Sequence, residues 1–358
     1  MNPLGKRMVL SIILLLSLAA CTTGSPTNTP IEKSVNTPEI PTPGIPAATA
    51  TPTQEPVSTP TVEVLPTVTL PPIDQPLLMG GSSGILFGSK RDGDYTNLYF
   101  LNTSEGVVTR LTMGDANIFP GPYSPDGNQF LFTGFGLTNS YIGLMNADGT
   151  DPVDLSGRPT TDEGFATWSP DGKQIAFTSR KDGNNEIYIM DADGTNIIRL
   201  TNNPSDDFAP AWSSDGTRLA FVSDRDNATG VNNLYLMNTD GSAVTRLTEG
   251  EENDYTPAWS PDGKQIAFRA DIGGNGDIYL INADGSGRVN LTNNPANDWA
   301  PAWSPDGSLI AFQTDRDGNW EIYTMHPDGS SPTNLTQNPA DDEMPYWKPP
   351  VSGINRPG

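Results

Sequence analysis

Five carboxylates recur at one fixed distance from a tryptophan. Glu163, Asp207, Asp254, Asp298 and Asp342 stand five residues ahead of Trp168, Trp212, Trp259, Trp303 and Trp347. Three of them are followed at once by an aromatic residue, Phe208, Tyr255 and Trp299. Brought together, such acids could do three things. Oxygen-only ligands suit Ca2+, with Asp207, Asp254, Asp298 and Asp342 as its candidate ligands. A carboxylate collar, with the aromatics beside it, would also accept a basic peptide segment. Paired acids at the right separation cleave glycosides, so a carbohydrate-active hydrolase or lyase is the alternative reading. The competing structural account is turn chemistry. An Asp at a strand start hydrogen-bonds its own loop, and the aromatics then pack between neighbouring units.

Other chemistries find little support. His326 is the only histidine and lies in a turn where sibling repeats have Asp or Asn, which excludes a serine triad or a His-rich metal site. Gly80–Gly84 reads GGSSG and fits G-x-S-x-G literally, but no strand–turn–helix elbow follows. Asp315–Asn319 and Asp191–Gly194 carry fragments of a calcium-loop pattern without its spacing or distal Glu, and read as hairpin turns. Twenty Lys and Arg against 43 Asp and Glu give a formal net charge of −23. That balance argues against nucleic acid and against electrostatic docking on an anionic bilayer.

The elements that must position these acids are written as a repeat. The line WSPDGKQIAF and its variants place an Asp-Gly glycine at 127, 172, 216, 263 and 307. Each unit holds four short apolar runs, in the third Pro210–Ser213, Leu219–Ser223, Leu234–Met237 and Ala243–Leu247. Each run is β-branched or aromatic and bounded by turn residues, so each predicts a strand. Ser-Pro-Asp-Gly suits a type I turn, and sequences such as DADGT suit a tight hairpin. The second strand occurs six times, from Ile85–Ser89 to Ile310–Thr314, while a spare first strand, Met344–Trp347, follows the last unit. The fold class predicted is all-β: a six-bladed β-propeller of four-stranded antiparallel blades over 77–348, with the C-terminal strand closing the first blade.

In that fold the five acids begin the innermost strands and ring one mouth of the channel. The A–B and C–D turns share one uniform face. The B–C loops and D–A crossovers share the other, where SRKDGNNE, SDRDNATGVNN, RADIGGNGD and QTDRDGNWE differ, with an insertion around Asn227–Gly230. Loops that differ on a repeated scaffold are the usual place for recognition.

The lines WSPDGKQIAF, DGNNEIYIMDADGTNIIRLT and DGNWEIYTMHPDGSSPTNLT resemble the TolB-type, WD40-like Pro-Asp propeller repeat over about 81–348. The resemblance implies a propeller used as a protein-binding platform. The family's namesake adds an N-terminal α/β domain that engages envelope partners. Here residues 21–76 stand in its place, rich in Thr and Pro, and predict a disordered stalk. Before it, Lys6 and Arg7 precede MVLSIILLLSLAA and Cys21. Residues 1–20 read as a signal peptide, and Leu18-Ala19-Ala20-Cys21 resembles a bacterial lipobox, which implies lipidation of Cys21. Residues 349–358 are a tail. The expectation is an exported, non-enzymatic, monomeric protein, lipid-anchored to the cell envelope on its periplasmic or outer surface. It would touch the membrane only through that anchor and bind a protein or peptide partner at the acidic channel mouth, with Ca2+ as the one cofactor to consider.

Overall fold

A computed structural model describes residues 83–136, 139–157, 161–226 and 230–350. Cys21, the signal segment, the 21–76 stalk, residues 80–82, residues 227–229 of the insertion and the tail beyond 350 lie outside the described residues.

Twenty-four strands form six four-stranded antiparallel sheets, and the described residues contain no helix. Each sheet is a blade whose strands, A to D, follow in chain order. Blade one is the exception. Its strand A is Asp342–Trp347, which pairs with Gly84–Ser89 and so joins the two ends of the repeat array. The remaining A strands are Ile118–Tyr123, Glu163–Trp168, Asp207–Trp212, Asn253–Trp259 and Asp298–Trp303. They touch one another in a closed cycle, blade one meeting both blade two and blade six. This is the propeller predicted from the repeats.

Strands B and C hold the core. Gly84–Ser89 is buried at every position, and Gln174–Ser179 and Arg218–Ser223 at all but the first. Such runs are apolar on both faces because a neighbouring blade covers each one. Phe87, Phe130, Phe177, Phe221, Phe268 and Phe312, one per blade, are all fully buried, each worth about 1.5–3 kcal/mol against exposure. Indole N–H groups stitch blades together. Trp259, Trp303 and Trp347 donate to the carbonyls of Ala211, Ala258 and Ala302 in the preceding blade at 3.1, 3.2 and 3.1 Å.

The outer edge is shorter than the sequence suggests. The fourth run in Ala243–Leu247 pairs only over Thr245–Arg246, and four further outer strands also have two residues. An edge this short offers little template for pairing with another chain. The A–B turns are alike. Ser124, Ser169, Ser213, Ser260 and Ser304 donate to the Asp two residues on at 2.6–2.7 Å. These bonds hold Asp171, Asp215 and Asp306 at about 2, below the usual carboxylate range.

Removing residues 342–358 takes strand A from blade one and uncovers the blade-six interface. The melting temperature followed by circular dichroism should fall by about 10 °C or more, whereas removing only 351–358 should leave it unchanged.

Candidate functional site

The five predicted acids do lie at the starts of A strands, but they do not form an open collar. Glu163, Asp207, Asp254, Asp298 and Asp342 are all buried. Arg91, Arg225 and Arg316 reach back from their B–C loops to Asp342, Asp207 and Asp298 at 2.7, 2.7 and 3.2 Å. Each arginine Nε also donates to the last hydroxyl of strand B, on Ser89, Ser223 or Thr314. Its guanidinium lies over two rings of its own blade: Phe87 and Tyr99, Phe221 and Tyr235, or Phe312 and Tyr323, at 4.6–5.4 Å. The Asp that follows each arginine accepts from the same tyrosine: Tyr99 to Asp92, Tyr235 to Asp226 and Tyr323 to Asp317. The carboxylate, the arginine and the aromatic pair therefore anchor the root of the B–C loop.

Blade five reaches the same end by another route. Its B–C connection has no such arginine, and Arg288 from beside the outer strand supplies the cation, 3.3 Å from Asp254 and over Phe268 and Tyr279. Burial outweighs this longer ion pair and pushes Asp254 up to about 6. In blade three, Glu163 takes weaker hydrogen bonds from Thr161 and Ser179, each at 3.4 Å.

Blade two, which has Ile118 in place of the acid, lacks the whole assembly. No arginine stands in its FGLTNS loop, and Gly143 takes the place of the tyrosine. Phe132 and Tyr141 meet edge to face, as do Phe119 and Phe135. The acid and its partners are absent together and replaced by apolar packing, which marks them as one structural unit.

This burial corrects the expected Ca2+ site. Asp207, Asp254, Asp298 and Asp342 each pair through one carboxylate oxygen with an arginine of their own blade. Among the described residues no three His, Cys, Asp or Glu side chains converge to hold a metal ion. Phe208 and Trp299 are buried and Tyr255 half-buried. With Phe165 they form a file of rings through blades three to six, at 6.3, 6.4 and 6.1 Å between centroids.

Two features escaped the sequence reading. The residue before each collar position is Asn or Asp in all six blades: Asn117, Asp162, Asp206, Asn253, Asn297 and Asp341. Each accepts a backbone N–H from the end of the preceding blade's B–C loop. The repeat carried this signal in plain view. The second feature is a β-bulge in strand A, with Phe165, Ala209, Thr256, Ala300 and Met344 at φ of 49–55°. Nothing in these residue types announces a left-handed conformation.

The fold and this site define a six-bladed propeller whose acidic repeat positions brace its loops. The model of the TolB beta propeller domain matches residues 160–256, 226–297 and 253–354. The chain belongs to that family. TolB from Acinetobacter baumannii is similar, at 23% identity and a TM-score of 0.63, over 75% of this chain and 67% of that one. A protein of Agrobacterium tumefaciens assigned as a TolB has 24% identity and a TM-score of 0.57, over 74% and 91%. Hydrazine synthase of Kuenenia stuttgartiensis shares the fold at 16% identity and a TM-score of 0.58, over 75% and 47%. No curated protein matches the chain.

Two measurements test the bracing role. Arg225→Met leaves Asp207 buried beside a lost cation and should cost about 3–5 kcal/mol in urea unfolding, while Arg225→Met with Asp207→Leu should recover most of the loss. For Asp254, the folded protein binds a proton between about pH 4 and 6 that the unfolded chain has released, so stability falls as pH rises through that window. Asp254→Asn should flatten this fall and raise the melting temperature at pH 7 relative to the wild type.

Proposed function

We propose that this protein is a non-enzymatic recognition module of the cell envelope, held by lipidated Cys21 on a Thr/Pro stalk and binding a protein partner through the B–C face of its propeller. The contrast between the two faces carries this reading. The A–B turns repeat one bonding pattern in five blades. The B–C loops share their roots, and in blades one, three and six also an Asp-Gly turn, but the residues after that turn differ: Asp94-Tyr95, Asn184-Asn185 and Asn319-Trp320. Tyr95 in blade one and Ile272 in blade five are 43% and 44% exposed, and Trp320 in blade six is half-buried. Blades five, six and one are neighbours in the ring, so these apolar tips belong to one sector. Acidic loop residues such as Asp92 and Asp317 flank them. An apolar, aromatic centre with a charged rim suits a protein partner with complementary basic groups at its edge. The family's use as a protein-binding platform agrees with this. The carbohydrate hydrolase or lyase reading loses support, because four of the five acids it would employ are paired with arginines and the fifth, Glu163, is buried.

A photo-crosslinking residue placed at Tyr95, Ile272 or Trp320 in cells should give discrete protein adducts, and one placed at Asp171 or Asp262 in the opposite turns should give none. Equal labelling from both faces would refute the reading. Cys21→Ser should move the protein from the membrane fraction to the soluble one; retention on membranes would refute the anchor.

A further inference from the structure

The seams between blades repeat, and one of them carries its own cation. The residue that opens strand B borders the seam with the next blade, near the A–B turns. From blade one to blade six it is Gly84, Gln129, Gln174, Arg218, Gln265 and Leu309. At the seam of blades four and five, Arg218 lays its guanidinium over the indole of Trp259, 5.1 Å from the ring centroid. Asp215, in the A–B turn of blade four, is held at about 2 by Ser213 and Thr217 first, and by the charge of Arg218 in addition. A guanidinium between an indole face and a carboxylate is well placed on both counts.

The seam of blades two and three has the same walls without the cation. Gln129 stands in the place of Arg218, Trp168 in that of Trp259, and Asp126 and Asp171 in those of Asp215 and Asp262. These four residues line a cavity of about 380 Å³, a size that suits a small organic ligand. Asp126 and Asp171 are exposed and mark its mouth, while Trp168 is 7% exposed. Bonds from Ser124 and Ser169 hold the two carboxyls below their usual range, so both are charged at neutral pH. Lys173 touches Asp171 at 3.0 Å, but it is exposed and lies outside the cavity lining. A surface pair of that kind is weak. The indole is untied as well. Nε1 of Trp168 has no acceptor, whereas that of Trp259 donates to Ala211 in the preceding blade. What the seam of blades four and five completes from within is left open here.

We propose that this cavity binds a small molecule bearing a guanidinium group. The group takes the place over Trp168 that Arg218 fills over Trp259, and it pairs with Asp126 and Asp171. Its planar fork of donors matches carboxylates better than a compact ammonium does. The site lies on the A–B face, opposite the partner face, and does not rest on the protein-partner reading. Because its ligand is a small molecule, a crosslinker at Asp171 still yields no protein adduct.

The test uses the purified full chain with 15N-labelled tryptophan, the Trp168 indole signal being assigned by its loss in Trp168→Phe. The probe is ethylguanidinium, with ethylammonium and methyl glucoside as comparators. The expected result is a saturable shift of the Trp168 resonance with ethylguanidinium, and none with either comparator at the same concentration. Gln129→Arg should abolish the shift by filling the cavity from within, as Arg218 does at its own seam. Asp126→Asn, which keeps an acceptor for the turn, should weaken it. Each variant is checked for an unchanged melt. An equal shift with ethylammonium would make this a site for charge alone, and a shift with the glucoside alone a sugar site; either overturns the proposal. Equal shifts at Trp212 and Trp303, whose seams hold Gln174 and Gln265, would reveal a general affinity of the face and overturn it too. So would a shift that survives Gln129→Arg, or no shift with any probe.

Discussion

Everything in this propeller follows from the need of each blade to cover two apolar faces without a third layer of structure. Strands B and C are buried on both sides, so an isolated blade would expose a double-sided hydrophobic surface. Only neighbours can cover it, and only a closed ring leaves no blade uncovered. Closure crowds the A strands around the axis. The chain meets that crowding with a bulge two residues after the acid, where Phe165, Ala209, Thr256, Ala300 and Met344 take a left-handed conformation that ordinary side chains resist. Bonds such as those from Ala209 to Thr178 and from Met344 to Gln313 use the turned N–H to tie one blade to the next. The indole bonds to Ala211, Ala258 and Ala302 do the same at the far end of the strand.

The crowding also explains why a carboxylate stands where it does. The first residue of strand A lies beneath the root of the B–C loop, a place that is buried yet bordered by loop backbone. In four of the five blades that carry the acid an arginine comes with it, as the cost of a lone buried charge, several kcal/mol, would demand. Blades one, four and six bring that cation from the loop, and blade five brings it from Arg288. Blade two solves the same packing problem with Ile118, Phe132 and Tyr141. That both solutions occur in one molecule agrees with the general finding that a buried ion pair and a well-packed apolar cluster are of similar stability.

The repeat made the fold legible. Strand number, turn chemistry and the C-terminal latch all follow from counting one sentence six times, since periodic turn residues and short β-branched runs act locally. The acids were legible as positions and not as environments. Their spacing from tryptophan is written in the chain, but their burial depends on Arg91, Arg225 and Arg316, which lie 18 residues downstream for Asp207 and Asp298 and across the ring closure for Asp342. One clue was available. Blade two lacks the acid and the loop arginine together, so the six repeats already serve as an internal comparison. The Asn or Asp before each collar position, kept in all six blades, was the stronger signal of the two. The bulge conformation was beyond reach, because it is imposed by ring closure on residues as unlike as Phe165, Ala209 and Met344.

The same bracing separates the shared scaffold from the variable loop tips. Each B–C loop is fastened at its exit by the Asn or Asp of the next crossover, and in blades one, four and six at its entry by an arginine. Between those points the tip makes no contribution that the ring requires, so its sequence is free to vary at small cost in stability. Blade five takes this furthest. Moving the cation to Arg288 frees the strand ends from the loop anchor, and the freed strands extend into a hairpin that carries the ion pair of Arg269 and Asp271. A polar pair can be kept under-bonded there because the face-to-face packing of Phe268, Ile266 and Ala270 beneath it holds the blade together without its help.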